Sequence, residues 1–357
     1  MAPATALENI PTETVQQIAS FLNHKDIGSL SLTCRPLRSN LYRLLWSRIS
    51  IHGSEHELVC HLKTFDPKST HGRATLALVK KATIIKNMVW PCYHIDQWDT
   101  MKHPLYPAHS TLIPRAIMQT LQAMTSLESL HLSVLELSVQ QKRMFLGLLE
   151  KEDAPGIKLQ HLTIRATINV AKPFILKCSH ELRSLDTNVS SSMFKSKKLE
   201  RLRIHLYYNQ ISSPLYQYPS LTNEEEYGMP SLRNISNDFP SLKTLILHET
   251  REYNMFSNNA DPNIMAAIIA NTLKKRYRRL ERLAFTSIWM QAYDIKFNET
   301  FFHNLVGRIA REHRVLREVC VLVEPPQFYE WKRDQGTTIR SFHEMPNRNG
   351  FPFGVEE

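Results

Sequence analysis

The chain has 357 residues, 42% of them hydrophobic and 22% charged, a balance that fits a folded domain and excludes disordered and fibrous classes. Lys and Arg number 44 against 34 Asp and Glu, a formal charge of +10 that favours acidic, phosphorylated or nucleic-acid partners and is equally met by a solvated basic surface. Ten glycines and no GxGxxG or GxxxxGK[ST] stretch argue against a phosphate loop. No apolar run reaches the length of a membrane span, and MAPATALENIPTE lacks the basic-then-apolar order of a secretory signal. Cys34, Cys60, Cys92, Cys178 and Cys320 are odd in number and scattered, which suits reduced thiols in the cytosol or nucleus.

From Ile10 to Trp46 the apolar spacing predicts three short helices. Pro11 suits a helix start, with Thr12 as cap and Val15, Ile18, Ala19 and Leu22 following at three- and four-residue steps. Asp26 is the expected cap of a second helix carrying Ile27, Leu30 and Leu32, and Pro36 marks a third, with Leu37, Leu41, Leu44 and Leu45. A bundle this small has a marginal core and needs a neighbour.

Downstream, Leu-x-x-Leu-x-Leu units recur: LESLHLS from Leu127, LQHLTIR from Leu159, LRSLDTN from Leu182, LERLRIH from Leu199, LKTLILH from Leu242, LERLAFT from Leu280 and LREVCVL from Leu316. SRISIHG (47–53) and KATIIKN (81–87) read as weaker first strands, and SLRNIS around Leu232 as a partial copy. Helical segments lie between most units, at 114–124, 262–277 and 301–313. Strand and helix in alternation predict an α/β fold, an irregular leucine-rich-repeat solenoid with a parallel sheet and helices on its outer side. The expected boundaries are an N-terminal helical domain at 5–50, the solenoid at 51–323, and a C-terminal cap and tail at 324–357, the cap using Phe328, Tyr329 and Trp331.

Strand alternation then assigns an outward, concave face. His131, His161, Arg165, Arg201, Arg203, His205, His248 and Arg282 fall on it, with Ile246, Ala284, Glu318, Cys320 and Leu322. Four arginines and four histidines against one glutamate predict a basic strip suited to carboxylate or phosphate groups. The basic run KKRYRR (274–279) reads as a helix C-terminus, and Cys60-His61 and Cys92-x-His94 lack zinc-finger spacing. Loops 89–107 and 211–230 are expected as long insertions, the second carrying three glutamates at 224–226. GxSxG and HExxH are absent, and no catalytic constellation, metal site or cofactor is expected.

The opening stretch resembles an F-box. The match runs through Ile10-Pro11-x-Glu13, Val15, Ile18, Phe21-Leu22, Lys25-Asp26-Ile27, Leu30, Thr33-Cys34-Arg35, Leu37 and Trp46, with departures at Ile10, Ala19 and Leu37. The resemblance implies docking on a Skp-type adaptor of a cullin–RING ubiquitin ligase. It gives Ile10, Pro11, Val15, Ile18, Leu22, Ile27, Leu30, Cys34 and Leu37 as contact or supporting residues. The chain would then be a non-catalytic substrate receptor, cytoplasmic or nuclear, whose repeat domain holds an acidic or phosphorylated protein. The rivals are a repeat scaffold without a ligase and a nucleic-acid-associated basic protein, nucleic acid being the less expected partner.

Overall fold

The computed structural model describes residues 10–86, 112–151, 157–188, 194–206, 230–249, 270–286, 299–322, 327–341 and 351–352. They form two compact units, Met1–Leu159 and Gln160–Glu357, so the division falls inside the stretch read as repeats.

The first unit opens with α1 (Thr12–Ser20), α2 (His24–Ser31) and α3 (Arg35–Leu45). The caps differ from those expected. Pro11, without a side-chain acceptor, precedes α1, and Asn23 rather than Asp26 caps α2, its Oδ1 accepting the Asp26 amide at 2.9 Å. Asn23 sits at the one position where its side chain reaches the third amide of the helix. The bundle buries Val15, Ala19, Ile27, Leu37 and Leu41, with Ile10, Leu22, Leu30, Cys34, Leu44 and Leu45 packed around them.

Next come β1 (Arg48–Gly53), α4 (Glu55–Thr64), α5 (Thr70–Leu76), β2 (Lys81–Lys86), α6 (Leu112–Ala123), β3 (Ser129–Ser133) and α7 (Val139–Leu149). The three strands are parallel and in register, aligning Ile51 with Ile84 and Ile84 with Leu132. One face is buried, through Ile49, Ile51 and Gly53 on β1, and the other keeps Ser50, His52 and His131 at least partly accessible. Trp46 stacks edge-on against Phe65 at 5.8 Å, and Tyr42 Oη and Thr75 Oγ1 share a hydrogen bond at 2.9 Å, which joins α3 to the α4–α5 layer. Gln141 is fully buried; its Oε1 accepts the Ser138 amide at 3.0 Å and its Nε2 donates to Glu55 Oε1 at 2.7 Å.

The second unit contains β4 (His161–Arg165), α8 (Ile168–Cys178), β5 (Ser184–Thr187), β6 (Arg201–Leu206), α9 (Pro230–Asp238), β7 (Thr244–Glu249), β8 (Arg282–Thr286), β9 (Glu318–Leu322), β10 (Gln327–Lys332) and β11 (Gly336–Ser341). Residues 270–276 and Glu299–Glu312 are helical as well. Strands β4 to β9 pair in parallel, aligning Leu162, Leu185, Leu202, Leu245, Leu283 and Val319. Each repeat's first leucine sits two residues before its strand, and Leu182, Leu199, Leu242, Leu280 and Leu316 are all buried. There the chain turns, and backbone bonds such as Glu200 N to Arg183 O and Lys243 N to Glu200 O hand each unit to the next.

Three features depart from the sequence expectation. SLRNIS lies in α9, a helix, because its apolar residues Leu232 and Ile235 are spaced for a helical face and both are buried. Past β9 the parallel order ends, and β10 and β11 add antiparallel, with Gly336 at φ 76° where the hairpin turns back. The face expected to be open is closed along its middle row: Asp186, Ile246, Ala284 and Cys320 are buried together with the leucines of the opposite face, whereas Arg203 and His248 are half-buried and Arg282 is exposed. Ile246, Ala284, Cys320, Leu322 and Phe328 form one apolar cluster, with Phe351 against it. Loop 89–107 and the 211–229 part of the second loop lie outside the described residues.

A close contact fixes α5. A Cβ on Gly72 would stand 1.9 Å from Phe65 O and 2.3 Å from Asp66 O, both backbone atoms that cannot swing aside. Gly72→Ala should therefore destabilise the chain by about 1–3 kcal/mol, read as a lower midpoint in urea, whereas Gly147→Ala, with open space around it, should not.

Candidate functional site

Two places in the structure hold side chains that bear on function. In the helical bundle the packing separates the residues named for adaptor contact. Val15, Ile27 and Leu37 are inside; Ile10, Leu22, Leu30 and Cys34 are half-buried at the rim; Pro11 and Ile18 are exposed. Two further large apolar side chains face solvent, Phe21 at 83% and Leu32 at 77% exposure. The sequence places Leu32 in the second helix beside Ile27 and Leu30, where it fits the helical period as well as its buried neighbours do, and it was not among the expected adaptor contacts. Only the end of α2 at Ser31, which puts Leu32 on the cap, turns it outward.

In the second unit the strip is not an array of free cations. Asp186 is next to Arg203 in the β5–β6 register, and its carboxylate gathers the charges around it. Arg165 Nη2 donates to Asp186 Oδ1 at 2.8 Å, and Arg203 Nη1 lies 3.5 Å from Oδ2. His205 Nε2 is 2.7 Å from Arg165 Nη2 and 3.3 Å from Asp186 Oδ1. A guanidinium only donates, so the shorter contact makes Nε2 an acceptor and the His205 ring neutral. His248 is beside it in register, the ring centres 5.0 Å apart.

The ionisation states follow from position. Burial would raise the Asp186 carboxyl, but the Arg165 and Arg203 guanidinium groups outweigh it and hold it well below the usual carboxylate range. Burial pushes His205 down to about 4, assisted by Arg165 and Arg203. Burial also takes His248 to about 4, with His205 and Arg203 adding to it.

Thus Arg165, Arg203, His205 and His248 come together, around an aspartate that was not among the expected residues. His161 and Arg201 sit half-buried on β4 and β6, Arg282 is exposed on β8, and His131 belongs to the first unit. The signal for Asp186 was present in LRSLDTN, where the acid occupies the same register as the arginine of LERLRIH.

A second charged group closes the sheet end. Glu318 hydrogen-bonds Glu330 across the β9–β10 seam, and burial first and that bond second raise Glu318 to about 7. Lys332 Nζ is 3.1 Å from Glu330 and 3.8 Å from Glu318, and Arg282 Nε is 4.0 Å from Glu318. Cys320 Sγ and one oxygen from each glutamate lie within 4.8 Å of one another, a donor set small enough for a metal ion. The Lys332 ammonium stands among them and already offsets part of their charge. Of the cysteine–histidine pairs, Cys60 Sγ meets His56 Nε2 at 3.5 Å rather than His61; Cys92 and His94 lie outside the described residues. In KKRYRR, Lys274 pairs with Glu312 at 2.9 Å, Arg276 donates to Asn237 at 3.0 Å and Tyr277 Oη donates to Leu232 O at 2.6 Å, which ties the run to its neighbours in the fold.

Residues 7–52 match the F-box-like family model. The three-helix bundle is therefore an F-box-like domain, a type that binds Skp-type adaptors. No curated protein matches the chain. Among the described residues no helix is long and apolar enough to cross a membrane.

Two measurements check these charges. Asp186→Ala leaves the guanidinium of Arg165 without its carboxylate and should cost about 3–5 kcal/mol in chemical denaturation. Glu318 has a folded pKa above its unfolded value, so its contribution is full below about 4.5 and is lost as pH rises through about 7. Glu318→Gln should accordingly gain in melting temperature on the wild type between pH 5 and 8, and a constant difference would contradict the raised carboxyl.

Proposed function

We propose that this chain is a substrate-recognition subunit of an SCF-type cullin–RING ubiquitin ligase. Its F-box-like domain docks on a Skp-type adaptor, and the second unit, read as an irregular leucine-rich-repeat stack, holds a protein substrate. The observation that carries the proposal is the bundle itself. It matches the F-box-like model and has a closed core, yet it presents Phe21, Leu32, Ile18 and Pro11 to solvent. A free chain gains nothing by exposing two large apolar side chains at 83% and 77%; a partner surface removes them from water. Burying both would contribute about 3–6 kcal/mol before the costs of association.

Ubiquitin transfer would be the work of partner subunits. Burial raises the Cys178 thiol to about 12, which makes it inert at neutral pH. An acidic or phosphorylated segment remains the substrate class that the arginines and histidines of the second unit favour.

Phe21→Asp with Leu32→Asp should abolish capture of a purified Skp-type adaptor while leaving the thermal transition within a degree or two, since neither side chain is in the core. Val15→Asp should lose the adaptor together with the fold of the bundle, because Val15 is 1% exposed. Capture by the double variant at the wild-type level would overturn the docking surface. Failure of the wild type to bind would leave a repeat scaffold without a ligase role.

A further inference from the structure

We propose that Arg165, Asn188, His205 and His248 form a niche for one compact oxyanion, a phosphate or carboxylate group carried by the substrate protein. The source of the oxyanion rests on the receptor reading above, whereas the niche rests on the geometry of the second unit.

Asn188 follows Asp186 by two residues, which places it on the same side of the sheet, just past the end of β5. Its side chain is almost wholly enclosed, the residue being 2% exposed. The Oδ1 accepts the Ala166 amide at 3.2 Å, which fixes the amide plane and leaves Nδ2 directed elsewhere. That Nδ2 is buried and meets no acceptor among the described residues, and the buried Nδ1 of His248 likewise has no hydrogen-bond partner there. Buried polar atoms are nearly always satisfied, so Asn188 Nδ2 just past β5 and His248 Nδ1 on β7, the latter as the protonated nitrogen of its ring, point to a group that supplies oxygens.

The charge beside them is already oriented. Arg165 is held by Asp186 at 2.8 Å and by Ile164 O at 3.3 Å, and 16% of its side chain stays accessible. An incoming anion meets a guanidinium that needs no reordering, and His248 across the row is half-buried rather than sealed. The Asp186 carboxylate opposes the anion. It is engaged by Arg165 and Arg203 on its own oxygens. A niche with so few donors takes a single oxyanion rather than a run of acidic residues.

The test is a titration of the full chain, labelled in histidine, with inorganic phosphate and separately with acetate at pH 7 and constant ionic strength. The ring resonances of His205 and His248 are followed by NMR. Saturable shifts with phosphate assign a phosphate site, and equal saturation with acetate assigns a carboxylate site. Asn188→Asp keeps an oxygen for the Ala166 amide and replaces the open donor by a negative charge; it should weaken binding at least about tenfold. His248→Gln, read on His205, should weaken it as well and serves if the first variant does not fold. Rings that respond to neither anion, or that respond in Asn188→Asp as in the wild type, would overturn the niche. Both variants should still capture the adaptor. Loss of adaptor binding by the wild type with the anion shifts intact would remove the receptor reading and leave the niche.

Discussion

The second unit depends on one constraint, the in-register stacking of its leucines. Leu162, Leu185, Leu202, Leu245 and Leu283 align across five parallel strands, and each is buried. A one-residue slip in any strand would move its leucines to the other face, so the pairing is strongly specified. That same register decides which residues meet on the opposite face. Thr163, Asp186, Arg203, Ile246, Ala284 and Cys320 lie in one row, which changes from polar to apolar between β6 and β7. The charge cluster is on the polar side of that change and the apolar cluster with Phe328 and Phe351 on the other.

Such a row explains why the basic strip of the sequence becomes an internal network. Buried guanidinium groups need a carboxylate, and Asp186 is the one that the β5 register supplies to both Arg165 and Arg203. The two histidines beside them stay neutral through the physiological range for the same reason, burial next to fixed positive charge. Their pKa values near 4 add an acid limb to stability: below about 6.5 the unfolded chain takes up protons that the folded one refuses. Asp186 adds to this as pH falls below about 3.8, where the unfolded chain takes up a proton that the folded carboxylate refuses.

Much of the fold was legible in the sequence. All seven leucine units became strands that start two residues after the first leucine, and SRISIHG and KATIIKN became β1 and β2. Periodicity sufficed there because the buried leucines set both the period and the phase. It did not suffice for the second face. TLILH, LAF and VCVL are near-continuous apolar runs, the pattern of a parallel strand buried on both sides, and alternation alone reads them as one buried and one open face. The cap of α2 was misplaced because Asn23 and Asp26 are both good cap formers, three residues apart, and only the backbone conformation of Asn23 separates them. For the bundle, the F-box-like pattern identified the helices, but burial divided the named residues into a core around Val15 and an exposed set that includes Phe21 and Leu32.

The two units therefore contribute different things, an apolar surface in the first and a fixed charge network in the second. The central claim is that the first is a docking surface. Hydrogen exchange of the full chain, alone and with a purified Skp-type adaptor, tests it most directly. The account predicts slowed exchange across α1, α2 and the start of α3, with the amides of β4 to β9 unchanged. Unaltered exchange in the bundle, or protection confined to the second unit, would contradict it.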